Sequence, residues 1–229
     1  MKRFSIWNFY ARAYDVINEN VPYLKMLDEV IKEVPIKGDL KILDAGCGTG
    51  NLLKKISQIS FNSKFVGIDS SEEMLNRAKK KFFTNPSVAL RHADLDKELE
   101  FLDGSFDSIV SSNALYALKD PKKIISEFHR LLKPQGKLVF TNPHNKTKFS
   151  GIMKKQFQEL GLLKFITKFI LNLPSLLVII FVNIFFLRKN NNYWSKEETM
   201  CILEQNGFKE INIKLTYADQ GLLVSAIKI

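Results

Sequence analysis

The run Ile42-Leu43-Asp44-Ala45-Gly46-Cys47-Gly48-Thr49-Gly50 limits what this chain can fold into more than any other stretch. It reads as a strand that ends in a glycine loop and opens a helix. Glycines at such a loop let the backbone approach a ligand closely, and the helix N-terminus behind it presents free N–H groups. A dinucleotide loop would read G-x-G-x-x-G and need its last glycine at position 51, where Asn51 stands. The run is instead G-x-G-x-G, which argues against NAD and FAD. No Gly-Lys-Ser/Thr follows, so a Walker-type phosphate loop is excluded.

Acidic residues sharpen the reading. Asp44 sits just before the glycines, where a carboxylate repels a pyrophosphate and suits a cation. Asp69 ends a second strand-like run, Phe65-Val66-Gly67-Ile68, where a carboxylate can accept from both hydroxyls of a ribose. Asp94 follows a third run near Val88-Ala89-Leu90 and can accept from an adenine amino group. A lone G-x-G-x-G can be a tight turn and nothing more. Three carboxylates at three successive strand ends, where doubly wound sheets hold ligands, point to a cationic nucleoside. S-adenosylmethionine (SAM) carries a sulfonium and an ammonium group and fits that set; no metal site is expected.

Around this loop, apolar runs alternate with helical patterns from Gly38 to Pro143, as in βαβ units feeding a parallel sheet. Four parts follow. Residues 1–37 form a helical cap broken near Pro22, and residues 38–143 the SAM-binding α/β core. Residues 144–193 form an apolar and basic helical insertion. Residues 194–229 add a helix, with a capping box at Ser195 and Glu198, then a hairpin completing the sheet. The fold expected is α/β: a doubly wound, mostly parallel seven-stranded sheet, Rossmann-like, with an antiparallel last strand and the insertion after strand five.

Four stretches in order resemble the SAM-dependent class I methyltransferases of the ubiquinone/menaquinone-biosynthesis type and their small-molecule relatives. They are Leu43–Gly50, Val66–Leu75, Ala93–Leu95 leading to Asp103–Val110, and Glu127–Leu138. Phe9–Asp15 is similar to the A-x-x-Y-D segment that covers the cofactor in those enzymes, which places Tyr14 there. The resemblance implies that Asp44 and Gly46 contact the methionine part, with Cys47 and Gly48 in the same cofactor-binding loop. It implies that Asp69 holds the ribose, with Ser70 and Met74 beside the adenine, that Asp94 and the Leu95 amide read the adenine edge, and that Asn113 offers its carbonyl to the amino group. Where amino-directed enzymes carry Asn-Pro-Pro-Tyr, this chain has Ser111–Tyr116, so the acceptor atom stays open.

Methyl transfer is a displacement that mainly needs alignment and exclusion of water, with a base only for a weak nucleophile. His144, after the fifth strand, is placed to serve as that base; the plainer reading is a loop histidine. Tyr116 falls where the family often lines the acceptor pocket, and packing would explain it equally well. His92 is expected to shape the adenine end and His129 to be structural.

Lys and Arg outnumber Asp and Glu by 34 to 24, for a formal charge of +10. Such a balance draws nucleic acid, anionic lipid or acidic substrates, or simply solvates the surface. Lys79-Lys80-Lys81 is expected to be a solvated helix face, and nucleic acid is not an expected partner. Two cysteines far apart argue for a reducing compartment, and the residues after Met1-Lys2-Arg3 lack a secretory apolar core. The expectation is cytoplasmic, with membrane association through the insertion held open.

That insertion contains Phe169–Leu187, nineteen residues by position without a charge, followed by Arg188-Lys189. A span is disfavoured, because the strands before and after it belong to one sheet, and Asn172 and Pro174 break the run. A lid over an apolar acceptor, a helix lying in a membrane interface through residues 151–189, and a buried helix pair remain. The function expected is methylation of an apolar small molecule or lipid-like acceptor. The rivals are methylation of a polar metabolite, an RNA-acting protein and a non-catalytic SAM-binding protein.

Overall fold

The glycine loop leaves an interior strand, β1 (Lys41–Ala45), of a seven-stranded sheet. The computed structural model describes residues 6–144, 149–182 and 193–229. The other strands are β2 (Lys64–Asp69), β3 (Val88–His92), β4 (Phe106–Ser112), β5 (Leu132–Pro143), β6 (Phe208–Thr216) and β7 (Gly221–Lys228). Their order is β3-β2-β1-β4-β5-β7-β6. β1 to β5 run parallel, and β7 is antiparallel to both β5 and β6. This is the doubly wound, mostly parallel sheet expected. The order reverses at β1, so the carboxyl ends of β1 and β4 flank a switch-point crevice.

Alternation along the strands builds two cores, one per face. Leu43, Ile109, Leu138, Phe140 and Val224 point to one side, against Ile125, Phe128 and Leu131 of α5 (Pro121–Leu131) and Leu203 of α8 (Lys196–Gln205). Ile42, Val110, Val139 and Leu223 point to the other, against α2 (Val21–Glu33) and α3 (Asn51–Ser57). Phe65, Phe106, Phe128 and Phe140 are fully buried, so truncating any one to alanine costs about 3–5 kcal/mol.

Helix ends follow their sequence signals. Ser195 and Glu198 close the expected capping box on α8. Ser71 caps α4 (Glu72–Lys81) by accepting from the Met74 amide. The helical cap is broken at Asn20, near Pro22 as expected, and Pro22 itself interrupts no helix. It lies in the first turn of α2, behind the Asn20 cap, where a missing N–H costs nothing. α1 (Ile6–Tyr14) precedes α2 through a 3₁₀ turn, Asp15–Glu19. β5 begins at Leu132, which pairs with Phe106, and an irregularity there absorbs Gln135 at φ 63° before Lys137 pairs with Ser108.

Between β5 and α8 lie α6 (Phe149–Leu160) and α7 (Leu162–Val182). Gln156 of α6 is buried against the start of α2. It accepts from the Val21 amide at 2.7 Å and donates to the Glu19 carbonyl at 2.8 Å. α7 runs unbroken through Pro174, contrary to the break expected there. The one backbone bond a proline removes is that to the carbonyl of Ile170, on the exposed side of the helix, where water can take its place.

Candidate functional site: a cleft over the glycine loop

Gly46 (φ 75°) and Gly48 (φ 54°) turn the chain out of β1. A Cβ on Gly46 would stand 2.5 Å from the Cβ of Ala114, so the loop after β1 and the loop after β4 approach at a distance that only glycine permits. A Cβ on Gly48 would meet only Tyr14 at 3.8 Å and Met74 at 4.0 Å, and so projects into the space between them. The Gly46 and Cys47 amides both donate to the Ile68 carbonyl at 2.9 Å, which fixes the loop to β2. Cys47 packs its thiol toward Gly67, and burial, more than the charges of Asp44 and Asp69, holds that thiol well above the usual range.

Asp44 is 1% exposed, and neither carboxylate oxygen has a hydrogen-bond partner among the described residues. Burial pushes its pKa up to about 8, the Asp69 charge adds to the shift, and the nearby Leu53 amide offsets little of it. Asp69 accepts from the Gly48 and Ser71 amides, each at 2.8 Å. Its pKa is also raised, by burial, against the pull of those two amides. Ser70 is exposed beside it and its carbonyl contacts Nε2 of His92 at 3.0 Å, so His92 does stand at this end of the cleft. Asp94 is half-buried and accepts from the Asp96 amide at 3.1 Å, and Leu95 is buried. Asn113 takes the left-handed conformation (φ 51°) at the end of β4, its amide bonded to Thr141. Strain of this kind concentrates at ligand sites.

Over the loop lies α1. Tyr10, Tyr14 and Trp7 form one cluster with Met74, Tyr116 and the end of α7, at Val178, Ile179 and Val182. Tyr14 is packed beside Tyr10 at 5.4 Å between ring centroids. Burial and the neighbouring tyrosines keep its hydroxyl protonated, as they do for Tyr116. Tyr116 therefore can donate a hydrogen bond but is no base at neutral pH. His144 follows β5 with its Nδ1 buried and without a partner among the described residues.

Two participants, Lys81 and Tyr217, escaped sequence reasoning, and Asp15, the last residue of the A-x-x-Y-D segment, gains a specific role. Asp15 accepts from Thr49 at 2.6 Å and from Lys81 at 2.8 Å, and Lys81 also reaches Thr49 (2.9 Å) and Asn51 (2.8 Å). Lys81 thus ties the 3₁₀ turn after α1, and α4, to the glycine loop, while Lys79 and Lys80 are exposed as expected of a solvated face. Tyr217 lies at the turn after β6, which the pairing of Pro143 with Gly221 brings to the carboxyl end of β5. It takes φ 53° there, and burial raises its hydroxyl pKa above the usual range. Only the strand order reveals it, since nothing local marks that turn as part of the cleft.

Does SAM fit? The buried Asp44 carboxyl, without a hydrogen-bond partner among the described residues, is completed by a cation against which it can ionise, whereas a pyrophosphate would hold it in its neutral form. Asp69 keeps lone pairs for two hydroxyls beyond its two amides. The cradle is built for a cationic nucleoside, and the fold and the cleft together define the class of SAM-dependent methyltransferases. Similar proteins agree. A Bacillus subtilis relative, YqeM, whose methyltransferase designation is itself provisional, is 33% identical over 139 residues, covering 59% of this chain and 54% of its own length. The demethylmenaquinone methyltransferase of Staphylococcus aureus is 32% identical over 133 residues, 56% of this chain and 55% of its own. The match spans about half the length of these relatives. A SAM-dependent methyltransferase from Aquifex aeolicus has the same fold, with TM-score 0.64, 20% identity, and coverage of 95% of this chain and 98% of that one. The methyltransferase domain family matches residues 36–210, and the chain belongs to that family. Its cofactor is SAM.

Proposed function

We propose that this protein transfers the methyl group of SAM to an apolar, lipid-like small molecule by direct displacement. The observation that carries the reading is the roof of the cleft. Val178, Ile179 and Val182 close on Trp7, Tyr10, Tyr14, Tyr116 and Met74, an apolar and aromatic lining beside the glycine cradle. The similarity to a demethylmenaquinone methyltransferase supports a quinone-like acceptor. SAM supplies an electrophilic methyl on a sulfonium.

The chain's own residues would do the rest. Asp44, Gly46, Cys47 and Gly48 form the cradle for the cationic methionine end. Asp69 takes the ribose hydroxyls, with Ser70 and Met74 at the adenine, Asp94 and Leu95 at its edge and Asn113 at the amino group. Tyr14 closes the cleft from above. Trp7, Tyr10 and the α7 residues exclude water, which strengthens every charge interaction inside. Tyr116 orients an acceptor oxygen by donating to it, and His144, at the carboxyl end of β5, receives the acceptor's proton.

Labelled-methyl SAM, incubated with the protein and either an organic extract of membranes or the aqueous metabolite pool, tests this. Label should enter the organic phase. Label confined to aqueous metabolites would replace the reading with a polar acceptor.

A further inference from the structure

We infer that α7 is a membrane-docking surface, which seats the protein on an anionic lipid bilayer with the helix lying in the plane of the interface. α7 is amphipathic in the wrong sense for a soluble protein. Leu162, Ile166, Ile170, Leu173, Leu177 and Phe181 recur at intervals of three and four residues and so share one face. Every one of them is exposed, Ile170 by 63%, and the adjoining Leu163 and Leu171 by 82% and 74%. The polar contacts lie on the other side, toward the domain. Lys168 pairs there with Glu19, and Asn172 donates back to the Lys168 carbonyl at 2.9 Å. A helix whose apolar face points out is unstable in water unless something apolar covers it.

Length and hydropathy alone would let these 21 residues cross a bilayer. The contacts forbid it. The far end of α7 is packed on α1 through Val178, Ile179 and Val182, its middle is paired to Glu19, and its start joins α6, which Gln156 holds to α2. β5 before it and β6 after it belong to one sheet. The helix can only lie on the surface.

Charge selects the lipid. Lys154, Lys155 and Lys164 are exposed around the α6–α7 elbow, and the one nearby acid of α6, Glu159, is already paired with Lys25 and Lys155. The whole chain carries +10. Basic groups flanking an apolar face are the pattern of helices that sit in anionic interfaces. Docking goes beyond the catalytic reading, because it needs neither SAM nor an acceptor. It would also bring the roof of the cleft, built by the same helix, to the lipid.

The test is co-sedimentation of the full chain with vesicles of phosphatidylcholine alone or mixed with phosphatidylglycerol, without SAM. Binding is expected to the anionic vesicles, weaker in high salt. The variant Leu163→Glu/Ile170→Glu/Leu177→Glu alters only outward side chains and should keep its circular dichroism spectrum and SAM affinity. It should lose roughly tenfold or more of the vesicle binding. No binding of the wild type to anionic vesicles, or equal binding by the triple variant, would overturn docking. Resistance to carbonate extraction would overturn the in-plane arrangement. A discrete dimer that the triple variant dissolves, with no vesicle binding, would assign the face to a second copy instead. Vesicle binding together with methylation of aqueous metabolites alone would sink the apolar acceptor and leave docking standing.

Discussion

Asp44 and Asp69 end adjacent parallel strands, and only one of them is answered. Asp69 receives the Gly48 and Ser71 amides, while both oxygens of Asp44 are buried without a donor among the described residues. The free protein holds Asp44 largely protonated up to about pH 8, with burial as the main cause.

A cationic ligand needs that carboxylate ionised. Below pH 8 SAM binding should therefore expel a proton, and affinity should climb with pH between about 6 and 7.5, by up to about tenfold per unit. The SAM ammonium itself, with an α-amino pKa of about 7.7–8.0, ends the window. Calorimetry in two buffers of different ionisation heat reads the proton directly. A binding enthalpy that is the same in both would remove Asp44 from the methionine subsite.

Stability of the protein without SAM should move the opposite way. The folded pKa of Asp44 lies above its unfolded value, so the folded state holds the extra proton and stability falls as pH rises from about 4 through 8. The steepest loss is about 1.4 kcal/mol per pH unit. Asp69, also raised, adds to the slope. Asp44→Asn should flatten most of it in thermal melts from pH 5 to about 9, and should abolish SAM binding at every pH. A variant that melts with the wild-type slope would show that Asp44 is not the buried titrating group.

The two glycines should separate fold from binding. Gly46→Ala forces a Cβ against Ala114 and a side chain into positive φ, and should destabilise by about 2 kcal/mol or more. Gly48→Ala meets only ordinary contacts with Tyr14 and Met74, so its cost should be the left-handed backbone alone, about 1–2 kcal/mol. Its methyl occupies the cradle, however, and SAM affinity should fall at least about tenfold. Calorimetric melts and SAM titrations of both would decide it. Equal affinity in Gly48→Ala would place the ligand elsewhere.

The reversal of roles between near and far residues explains how much of this was legible beforehand. The sheet, the glycine loop and the three carboxylates are written locally, because strand period, positive φ and capping boxes depend on residues a few positions apart. Gly46 and Asp44 could be found that way. Lys81 could not. Its helix position resembles that of Lys79 and Lys80, and only packing of α4 against the Asp15 turn draws it inward. Tyr217 needed the β5–β7 pairing. Pro174 reads as a break in the sequence because a proline's cost depends on whether water can replace its lost bond, as it can on an exposed helix face. α7 was the hardest, since apolar content alone cannot tell an inward face from an outward one.

Lys81 gives the last prediction. Its ammonium donates to Asp15, Thr49 and Asn51, so it joins the α1 end of the roof to the glycine loop at one point. Lys81→Met keeps the length and apolar stem and removes all three bonds. Asp15 then retains Thr49, with Arg77 at 3.9 Å, so the fold should survive with a loss of about 1–2 kcal/mol. What should suffer more is the coupling. Amide hydrogen exchange over residues 6–19 should quicken, and the slowing by SAM expected of the wild type should be lost, while SAM affinity drops roughly tenfold. Lys81→Arg can reach the same three oxygens and should restore most of the protection. A purely structural lysine would lower the melting temperature and leave the SAM-dependent protection of α1 intact, and that result would break the link between roof and cradle.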